Sequence, residues 1–417
     1  MKKLLLCLFS ILLLVSCSNE LPDYHLSVKK NRTMLAYLVA NNNLDGDIMK
    51  NVLWMYENLV ASPDSCTLLV YYKPTSSNDN IDVPQILEFR TDGYGNINGI
   101  PVINWGDITI SKMLQYAKIH QAREGLATDP YVMEDILKTM QSIAPSKSYG
   151  LIFGSHASGW LPVSTTYSGR SFGKDGSSKN SINIPELAQT LERSFPADNL
   201  DFVMFDACMM GTAEVAYELR NATRYCFASV METPGIGMPY DRIFDLLYED
   251  EVNWQSVCDI IVSFNAEDFS RAWGTYAAFD CTKMEELAEV VKAELTRNKE
   301  KVKNFDYTKV QQYGVSLDES WNQYSYKYFS FDLVDYLTKV NGGTTPDAIR
   351  DAMSQVVVAK NCLSGARYNF NGLVIDDSRF CGMGMYDPCN VNNGTWNTYY
   401  TSSIAWYKAV GWEEVMN

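Results

Sequence analysis

A cysteine and a histidine, each placed shortly after an apolar run, have the types needed for nucleophilic catalysis. Cys208 follows Leu200–Phe205 (LDFVMF), and His156 follows Tyr149–Gly154 (YGLIFG). A cysteine attacks as its thiolate, and a neighbouring imidazole can stabilise that thiolate and transfer protons. The plainer alternatives are a histidine satisfied by hydrogen bonds at a strand end and a buried cysteine that packs as a small hydrophobe.

The choice of a catalytic base is narrow because the chain has only three histidines. His25 lies in a polar stretch near the N-terminus, and His120 lies in a polar stretch before a predicted helix. His156 is therefore the candidate base. The sequence has no Gly-rich phosphate loop, HExxH or GxSxG motif that would indicate another chemistry.

Apolar runs that alternate with amphipathic segments predict the elements that position these two residues. The predicted strands are Thr33–Val39, Cys66–Tyr72, Gln85–Phe89, Tyr149–Gly154, Leu200–Phe205 and Tyr225–Val230, and the predicted helices are Asp47–Val60, Pro130–Ile143, Ile184–Phe195 and Thr212–Arg220. Asp129 is expected to cap the second of these helices. The alternation predicts an α/β fold with a mostly parallel sheet, whose sites lie beyond the carboxyl ends of the strands. Cys208 is expected at the start of a helix, where the helix dipole favours a thiolate.

The remainder of the chain, 241–417, has a mixed pattern. It contains helical stretches at 284–304, 330–340 and 346–359 and strand-like stretches at Tyr276–Phe279, Leu373–Ile375 and Gly384–Tyr386. The pattern predicts a catalytic core over 32–240 and a C-terminal α+β part over 241–417 that completes the sheet and packs on the core.

The N-terminus is typical of a targeting segment. Lys2 and Lys3 precede an apolar run, Leu4–Val15, which is short for a membrane span and is followed by Ser16 and Cys17. This arrangement resembles the bacterial lipobox. It predicts a signal peptide over 1–16, a lipid on Cys17, a tether over 17–31 and a place in the cell envelope, with the outer membrane or cell surface as the default. The alternative is an ordinary signal peptide with an incidental cysteine.

Charge and cysteine content exclude some classes of protein. With 35 basic and 50 acidic residues the net charge is −15 at pH 7, which does not suit nucleic acid. Eight cysteines follow Cys17 without a CxxC pair: Cys66, Cys208, Cys226, Cys258, Cys281, Cys362, Cys381 and Cys389. A disulfide between Cys381 and Cys389 is one candidate pairing, which the spacing alone does not decide.

The histidine and cysteine elements together resemble the clostripain family, peptidase family C11, of the caspase-like clan of cysteine peptidases. Other stretches resemble that family too: AYLVANNNL from Ala36, TDP from Thr128, FDACMMGTAEVAYEL from Phe205, Ala228–Tyr240 and Gly384–Tyr386 with the aromatic tail after it. The likeness covers about residues 32–417. It implies a caspase-like three-layer α/β/α sandwich and a cysteine peptidase activity.

The resemblance also implies roles for particular residues. Cys208 would attack the scissile carbonyl, His156 would move the protons, and the backbone N–H groups of Ala157 and Cys208 would hold the oxyanion. The family usually has glycine where this chain has Ala157, which matters if that position requires a positive φ. Asp206 would face the S1 pocket and bind arginine or lysine; the alternative is an aspartate that caps the following helix.

Two further properties follow from the resemblance alone. Self-processing is expected after a basic residue in the loop 163–182, which is predicted to be exposed, with Arg170 as first choice over Lys174 and Lys179; the alternative is that these are solvated loop charges. Calcium is used by some relatives, but the EF-hand-like start at Asn41 has Val52 where a bidentate glutamate is required, so no metal site is assigned.

Two other classes of protein remain as alternatives. The first is a lipid-anchored binding protein that keeps the fold without activity, for which Ala157 is the best support. The second is a carbohydrate-binding surface protein, suggested by an aromatic content of 12%. Because the aromatic residues are spread along the chain, core packing explains them more simply.

Overall fold

A computed structural model of the protein describes residues 26–417 except 104, 105, 107, 163–170, 178, 317–325, 364–366, 369–372, 392 and 393. The predicted signal peptide, Cys17, His25 and Arg170 lie outside the described residues. Within these ranges, no helix combines the length and the apolar composition needed to cross a membrane.

Sixteen strands and fourteen α-helices are assigned within the described ranges. The strands are β1 Lys29–Val39, β2 Ser65–Lys73, β3 Gln85–Arg90, β4 Asn96–Ile97, β5 Ile100–Pro101, β6 Lys118–Gln121, β7 Ser148–Gly154, β8 Leu200–Asp206, β9 Tyr225–Ser229, β10 Thr275–Asp280, β11 Gln312–Ser316, β12 Tyr326–Asp332, β13 Val357–Cys362, β14 Arg367–Tyr368, β15 Leu373–Val374 and β16 Gly384–Met385. The helices are α1 Asp45–Ala61, α2 Ile110–Tyr116, α3 Pro130–Ile143, α4 Ile184–Ser194, α5 Ala213–Glu218, α6 Tyr240–Ile243, α7 Trp254–Ala266, α8 Met284–Arg297, α9 Lys299–Val302, α10 Leu333–Val340, α11 Asp347–Val356, α12 Gly394–Ser403, α13 Ala405–Ala409 and α14 Trp412–Met416.

Nine strands form the central sheet, in the order β13-β10-β9-β8-β7-β1-β2-β3-β6. The five strands from β9 to β2 run parallel, and antiparallel strands flank them on both sides. Strands β10 and β13, which come from the C-terminal part of the chain, form one side of this sheet. Strands β11, β12 and β16 form a separate three-stranded sheet.

Helices cover both faces of the sheet because its central strands are apolar on both faces. In β1, Met34, Ala36 and Leu38 pack in the core that contains α1, α6 and α7. The alternate residues of that strand, such as Leu35 and Tyr37, pack in the core that contains α3, α4, α5 and α8. The predicted three-layer α/β/α class is confirmed.

Most predicted elements match closely, including α3 with its cap at Asp129, and three expectations are wrong in detail. β1 begins at Lys29 rather than Thr33, because Lys29 already pairs with Ser65. The predicted helix 346–359 ends at Val356, and the chain continues as β13 because Val357–Cys362 pairs with β10. The loop predicted to be exposed instead has a buried part at residues 171–173 and at Asp175, because Phe172 pairs with Ala157 and Ile182 and packs against the rings of the central strands.

The connections along the sheet reverse direction between β1 and β7. From β1 the chain moves through α1 to β2, whereas from β7 it moves through α4 to β8 on the other side. The chain therefore leaves the carboxyl ends of β1 and β7 in opposite directions along the sheet, and the switch point lies between these two strand ends. Such a switch point is where open α/β sheets bind their ligands.

Candidate active site

His156 and Cys208 follow neighbouring parallel strands at the same height. The last register pair of β7 and β8 is Gly154 with Asp206, and each candidate residue lies two positions beyond it. Both residues are partly buried. The topology therefore brings to one edge of the sheet, beside the switch point, two residues that are 52 positions apart in the sequence.

Cys208 lies on a tight turn and not at the start of a helix. The next helix, α5, begins at Ala213 and is capped by Thr212, whose side chain accepts a hydrogen bond from the N–H of Val215. Met209, directly after the cysteine, has a positive φ of 62°, an uncommon conformation for a residue other than glycine. The predicted contribution of a helix dipole to thiolate formation is therefore wrong, since residues 207–212 intervene as a turn.

Strand β9 and the residues after it hold this turn in place. The N–H of Met209 donates to the carbonyl of Met231 at 3.0 Å, and the N–H of Gly211 donates to that of Ser229 at 2.8 Å. A Cβ atom on Gly211 would lie 2.7 Å from the nitrogen of Val230, so only glycine fits without a backbone shift. The strained conformation beside the cysteine is thus fixed by backbone contacts on the neighbouring strand.

The sulfur of Cys208 lies against the loop that follows β9. It accepts a hydrogen bond from the N–H of Thr233 at 3.5 Å, and the Thr233 hydroxyl lies 3.8 Å from it. Burial, with the nearby negative charge of Glu232, raises the pKa of the Cys208 thiol to about 12, although the Thr233 contacts oppose this shift. The thiol therefore keeps its proton at neutral pH in the unliganded protein, and attack requires a base to remove it.

The imidazole of His156 contacts the loop that follows β1. Its Nε2 lies 2.9 Å from Oδ1 of Asn43, so that the segments after β1 and β7 meet here. Its backbone is held by the segment 171–173, because the carbonyl of His156 accepts a hydrogen bond from the N–H of Gly173 at 2.8 Å. A side chain thus contacts the ring, and a backbone hydrogen bond fixes the main chain that carries it.

Ala157 does not adopt the conformation that would favour glycine. Among the described residues other than glycine, only Asn98, Asp198 and Met209 have a positive φ. Ala157 pairs with Phe172 in an isolated antiparallel bridge, whose hydrogen bonds are made by its two neighbours in the chain. In such a pair the N–H of the central residue points away from the partner strand. The alanine in place of the family's glycine therefore introduces no backbone strain.

Asp206 is the last residue of β8 and is partly buried two residues before the cysteine. Its Oδ2 accepts hydrogen bonds from the N–H of Met238 at 3.2 Å and from the hydroxyl of Tyr240 at 3.0 Å. Burial raises the pKa of this carboxyl to about 6, against the effect of those two bonds. Since Thr212 caps α5, the alternative role of Asp206 as a helix cap is wrong.

Comparison with known proteins identifies the chain at the family level. The model of the clostripain family, peptidase C11, matches residues 36–417. The chain belongs to the clostripain family. Clostripain of Hathewaya histolytica is 28% identical over 234 residues, which make up 51% of this chain but only 41% of that protein. The match thus spans less than half of that relative's length.

Solved structures of C11 proteases share the fold. A secreted C11 cysteine protease from Bacteroides thetaiotaomicron, solved with an irreversible peptide inhibitor, has a TM-score of 0.69 and 22% identity over 92% of this chain and 99% of that chain. An inactive zymogen C11 protease from Parabacteroides distasonis has a TM-score of 0.68 and 20% identity over 91% and 98% of the two chains. At these identities the likeness shows the fold alone, which is the caspase-like α/β fold.

The two described candidates for self-processing differ in backbone freedom. The N–H of Lys174 donates to the hydroxyl of Ser155, and its carbonyl accepts from the side chain of Asn42, so this peptide segment is tied to the ends of β1 and β7. Lys179 is exposed on a turn. Arg170, the first choice, lies outside the described residues.

The other cysteines and His120 form no disulfide or metal site in the described part of the chain. All eight cysteines from Cys66 to Cys389 are free, including Cys381 and Cys389, so the candidate disulfide is absent from the structure. His120 lies on β6 and contacts the buried carboxylate of Glu88 at 2.6 Å. In the described part of the chain, no group of three or more His, Cys, Asp or Glu side chains could hold a metal ion.

Sequence reasoning missed several residues that the fold brings to this clostripain-family site. Asn43, Thr233 and Tyr240 contact His156, Cys208 and Asp206 respectively. The first lies in a run of three asparagines directly after β1, which is a local signal, but only the strand order shows that this run faces the histidine. The sequence likewise gave no sign that the charge of Glu232 would lie near Cys208.

Proposed function

We propose that the protein is a cysteine endopeptidase that cleaves peptide bonds after arginine or lysine, with Cys208 as nucleophile and His156 as the base and acid. The observation that carries the proposal is the register of β7 and β8, which puts both residues two positions beyond one strand pair, beside the switch point of the sheet. Family membership supports it, since relatives in this family are described as cysteine proteases.

The environment of the thiol specifies how the first step proceeds. Because burial raises the pKa of the Cys208 thiol, the sulfur must lose its proton to His156 in order to attack the carbonyl. The imidazolium that results then gives the proton to the leaving amine, and water releases the acyl group from the sulfur. The N–H of Ala157, which points away from its bridge partner, and the N–H of Cys208 are the donors we assign to the oxyanion.

The preference for a basic residue rests on Asp206. Two protein donors bind the Oδ2 atom of this carboxylate, and a guanidinium or ammonium group would pair with the other oxygen. The turn from Pro234 to Met238 closes over it, and a Cβ atom on Gly237 would come within 2.8 Å of Oδ2. A partly desolvated carboxylate in this position would attract a cationic side chain and reject a neutral one.

A panel of short reporter peptides tests the activity. We expect the wild type to hydrolyse peptides that end in Arg or Lys before the reporter, and Cys208→Ala and His156→Ala to lose this hydrolysis. Hydrolysis by Cys208→Ala at the wild-type rate would refute the assignment of the nucleophile. Binding of glycans without hydrolysis of any peptide would favour the carbohydrate-binding alternative.

We further propose that the chain processes itself after a basic residue of the loop 163–182, with Arg170 as first choice and Lys179 as the alternative, because the backbone of Lys174 is held by the ends of two strands and would have to leave them to reach the cysteine. On a denaturing gel, purified wild type should divide into two fragments, while Arg170→Ala and Cys208→Ala remain whole. A wild type that remains a single band after long incubation contradicts the proposal.

Attachment to a membrane through a lipid on Cys17 is proposed from the sequence alone. The apolar run and the small residue before Cys17 support it. Metabolic labelling with a radioactive fatty acid should mark the wild type and not Cys17→Ala. Equal labelling of both would contradict a lipid at this position.

A further inference from the structure

Three consecutive asparagines shortly after β1 contact the segment of the chain that follows β7 and contains His156. Nδ2 of Asn41 donates to Oδ1 of the buried Asp175 at 2.6 Å. Nδ2 of Asn42, a buried side chain, donates to the carbonyls of Val39 at 2.8 Å and Lys174 at 3.0 Å. The main chain of this turn is therefore fixed to the same 171–176 segment that holds the backbone of His156.

The third asparagine makes a contact of another kind. Oδ1 of Asn43 lies 2.9 Å from Nε2 of His156, and an amide oxygen can only accept a hydrogen bond. Nε2 must therefore carry the proton in this contact. In the proposed mechanism the other ring nitrogen, Nδ1, would then be the one that exchanges a proton with Cys208.

We infer that Asn43 is a positioning residue for the proposed peptidase reaction, which holds the imidazole of His156 in the tautomer and orientation needed to take the proton of Cys208. The inference rests on the proposed roles of these two residues. It assigns a function to the loop after β1, and it explains why the site lies at the switch point: β1 supplies the orienting group and β7 the base.

The rigidity of the turn is what makes an exposed amide effective. Asn43 itself is exposed, and an isolated hydrogen bond at the surface contributes little to folding. Its neighbours Asn41 and Asn42 fix the main chain, however, so that no further ordering of the backbone is needed to hold the amide near the ring. Removing the amide should consequently affect the reaction more than the stability of the fold.

Two substitutions at Asn43 separate positioning from a merely structural role. For Asn43→Ala we expect kcat to fall by about 10- to 100-fold with KM and the unfolding temperature little changed, because the base is misoriented. For Asn43→Asp the carboxylate stabilises the imidazolium, which cannot accept the thiol proton, so the pH at which activity appears on the acidic side should rise, and more activity should remain than in the alanine variant. Asn58→Ala, which removes a hydrogen-bonded asparagine amide from α1, is the matched control.

Alkylation of Cys208 gives a readout that needs no peptide hydrolysis. Its rate with iodoacetamide, measured against pH by mass spectrometry of the peptide that contains Cys208, should be lower in Asn43→Ala and in His156→Ala than in wild type. If kcat, the pH profile and the alkylation rate of Asn43→Ala all match those of wild type and Asn58→Ala, the inference is overturned. If alkylation depends on Asn43 while wild type hydrolyses no peptide, the inference stands and the proposed peptidase function fails.

Discussion

Replacement of Asp206 by asparagine is the sharpest test of substrate preference, because it removes one charge and little volume. The amide oxygen can still accept hydrogen bonds from Met238 and Tyr240, so the pocket should keep its shape. What changes is the attraction for a cationic side chain. Thermal unfolding of the variant checks that the fold is unaffected.

The size of the effect follows from Coulomb attraction in a partly buried site. Two unit charges about 4 Å apart attract by about 4 kcal/mol at an effective dielectric constant near 20, the value suited to sites near a protein surface. The amide dipole retains a small part of this. We therefore expect kcat/KM for an arginine reporter to fall by about 100- to 1000-fold, since each 1.4 kcal/mol is a factor of ten. A leucine reporter should be unaffected or cleaved slightly better.

The pH dependence gives the same test a second dimension. Burial raises the Asp206 pKa to about 6, so the carboxyl holds its proton below that pH and carries its charge above it. The ratio of kcat/KM for the arginine and leucine reporters should accordingly rise with pH, with a midpoint of about 6, because kcat/KM reports groups of the free enzyme. Ionisation of His156 affects both reporters and cancels in the ratio.

The control is Asp135→Asn, which removes a half-exposed carboxylate on α3 that pairs with Arg123. It should leave both the ratio and its pH dependence unchanged. An Asp206→Asn variant that discriminates arginine from leucine as well as wild type does, at every pH, would refute the reasoning, whatever its absolute activity.

Two other substitutions probe the surroundings of Cys208. Glu232→Gln should lower the thiol pKa, because the negative charge of Glu232 raises it, and iodoacetamide should then alkylate Cys208 faster at pH 8 than in wild type; a slower reaction would contradict the assigned sign. Gly211→Ala should lower the unfolding free energy by roughly 1–3 kcal/mol and reduce kcat, because its Cβ would lie 2.7 Å from the nitrogen of Val230. Gly46→Ala, whose Cβ would meet nothing within 4 Å, is the control, and equal stability losses in the two variants would show that the close approach is unimportant.

The sequence predicted the sheet well because its central strands are buried on both faces. In β8, residues 202–205 form a continuous, fully buried apolar run, and such a run needs no knowledge of the fold to be recognised. The rule that sites follow the carboxyl ends of strands then pointed to His156 and Cys208. Local pattern and one general rule were sufficient to place these two residues at the ends of neighbouring strands.

The missed features all depend on contacts between distant parts of the chain. The turn at 207–212 is set by backbone bonds to Ser229 and Met231, and without them the same residues read as the start of a helix. The contact of Asn43 with His156 spans 113 positions and requires β1 to lie beside β7, an order that composition and periodicity do not specify. The burial of Phe172 likewise depends on its pairing with Ala157.

The C-terminal part of the chain also contacts the turn at 207–212. The N–H of Gly384 donates to the carbonyl of Gly211 at 3.1 Å, and Thr212 forms a parallel bridge with Gly384. Two residues after Thr212 lies the fully buried Glu214. Its Oε1 accepts hydrogen bonds from the N–H of Tyr386 and from the hydroxyl of Tyr400, each at 2.9 Å.

This arrangement ties the turn at 207–212 to the C-terminal part of the chain. Burial raises the pKa of Glu214, and loss of the donors from Tyr386 and Tyr400 would remove two hydrogen bonds from this buried carboxyl, at about 1–3 kcal/mol for each polar group left unsatisfied. The residues that follow Cys208 are thus stable in their observed conformation only when Tyr386 and Tyr400 are packed against them. The C-terminal part therefore contributes to the geometry of Cys208 itself, although it supplies none of the residues that we assign to the chemistry.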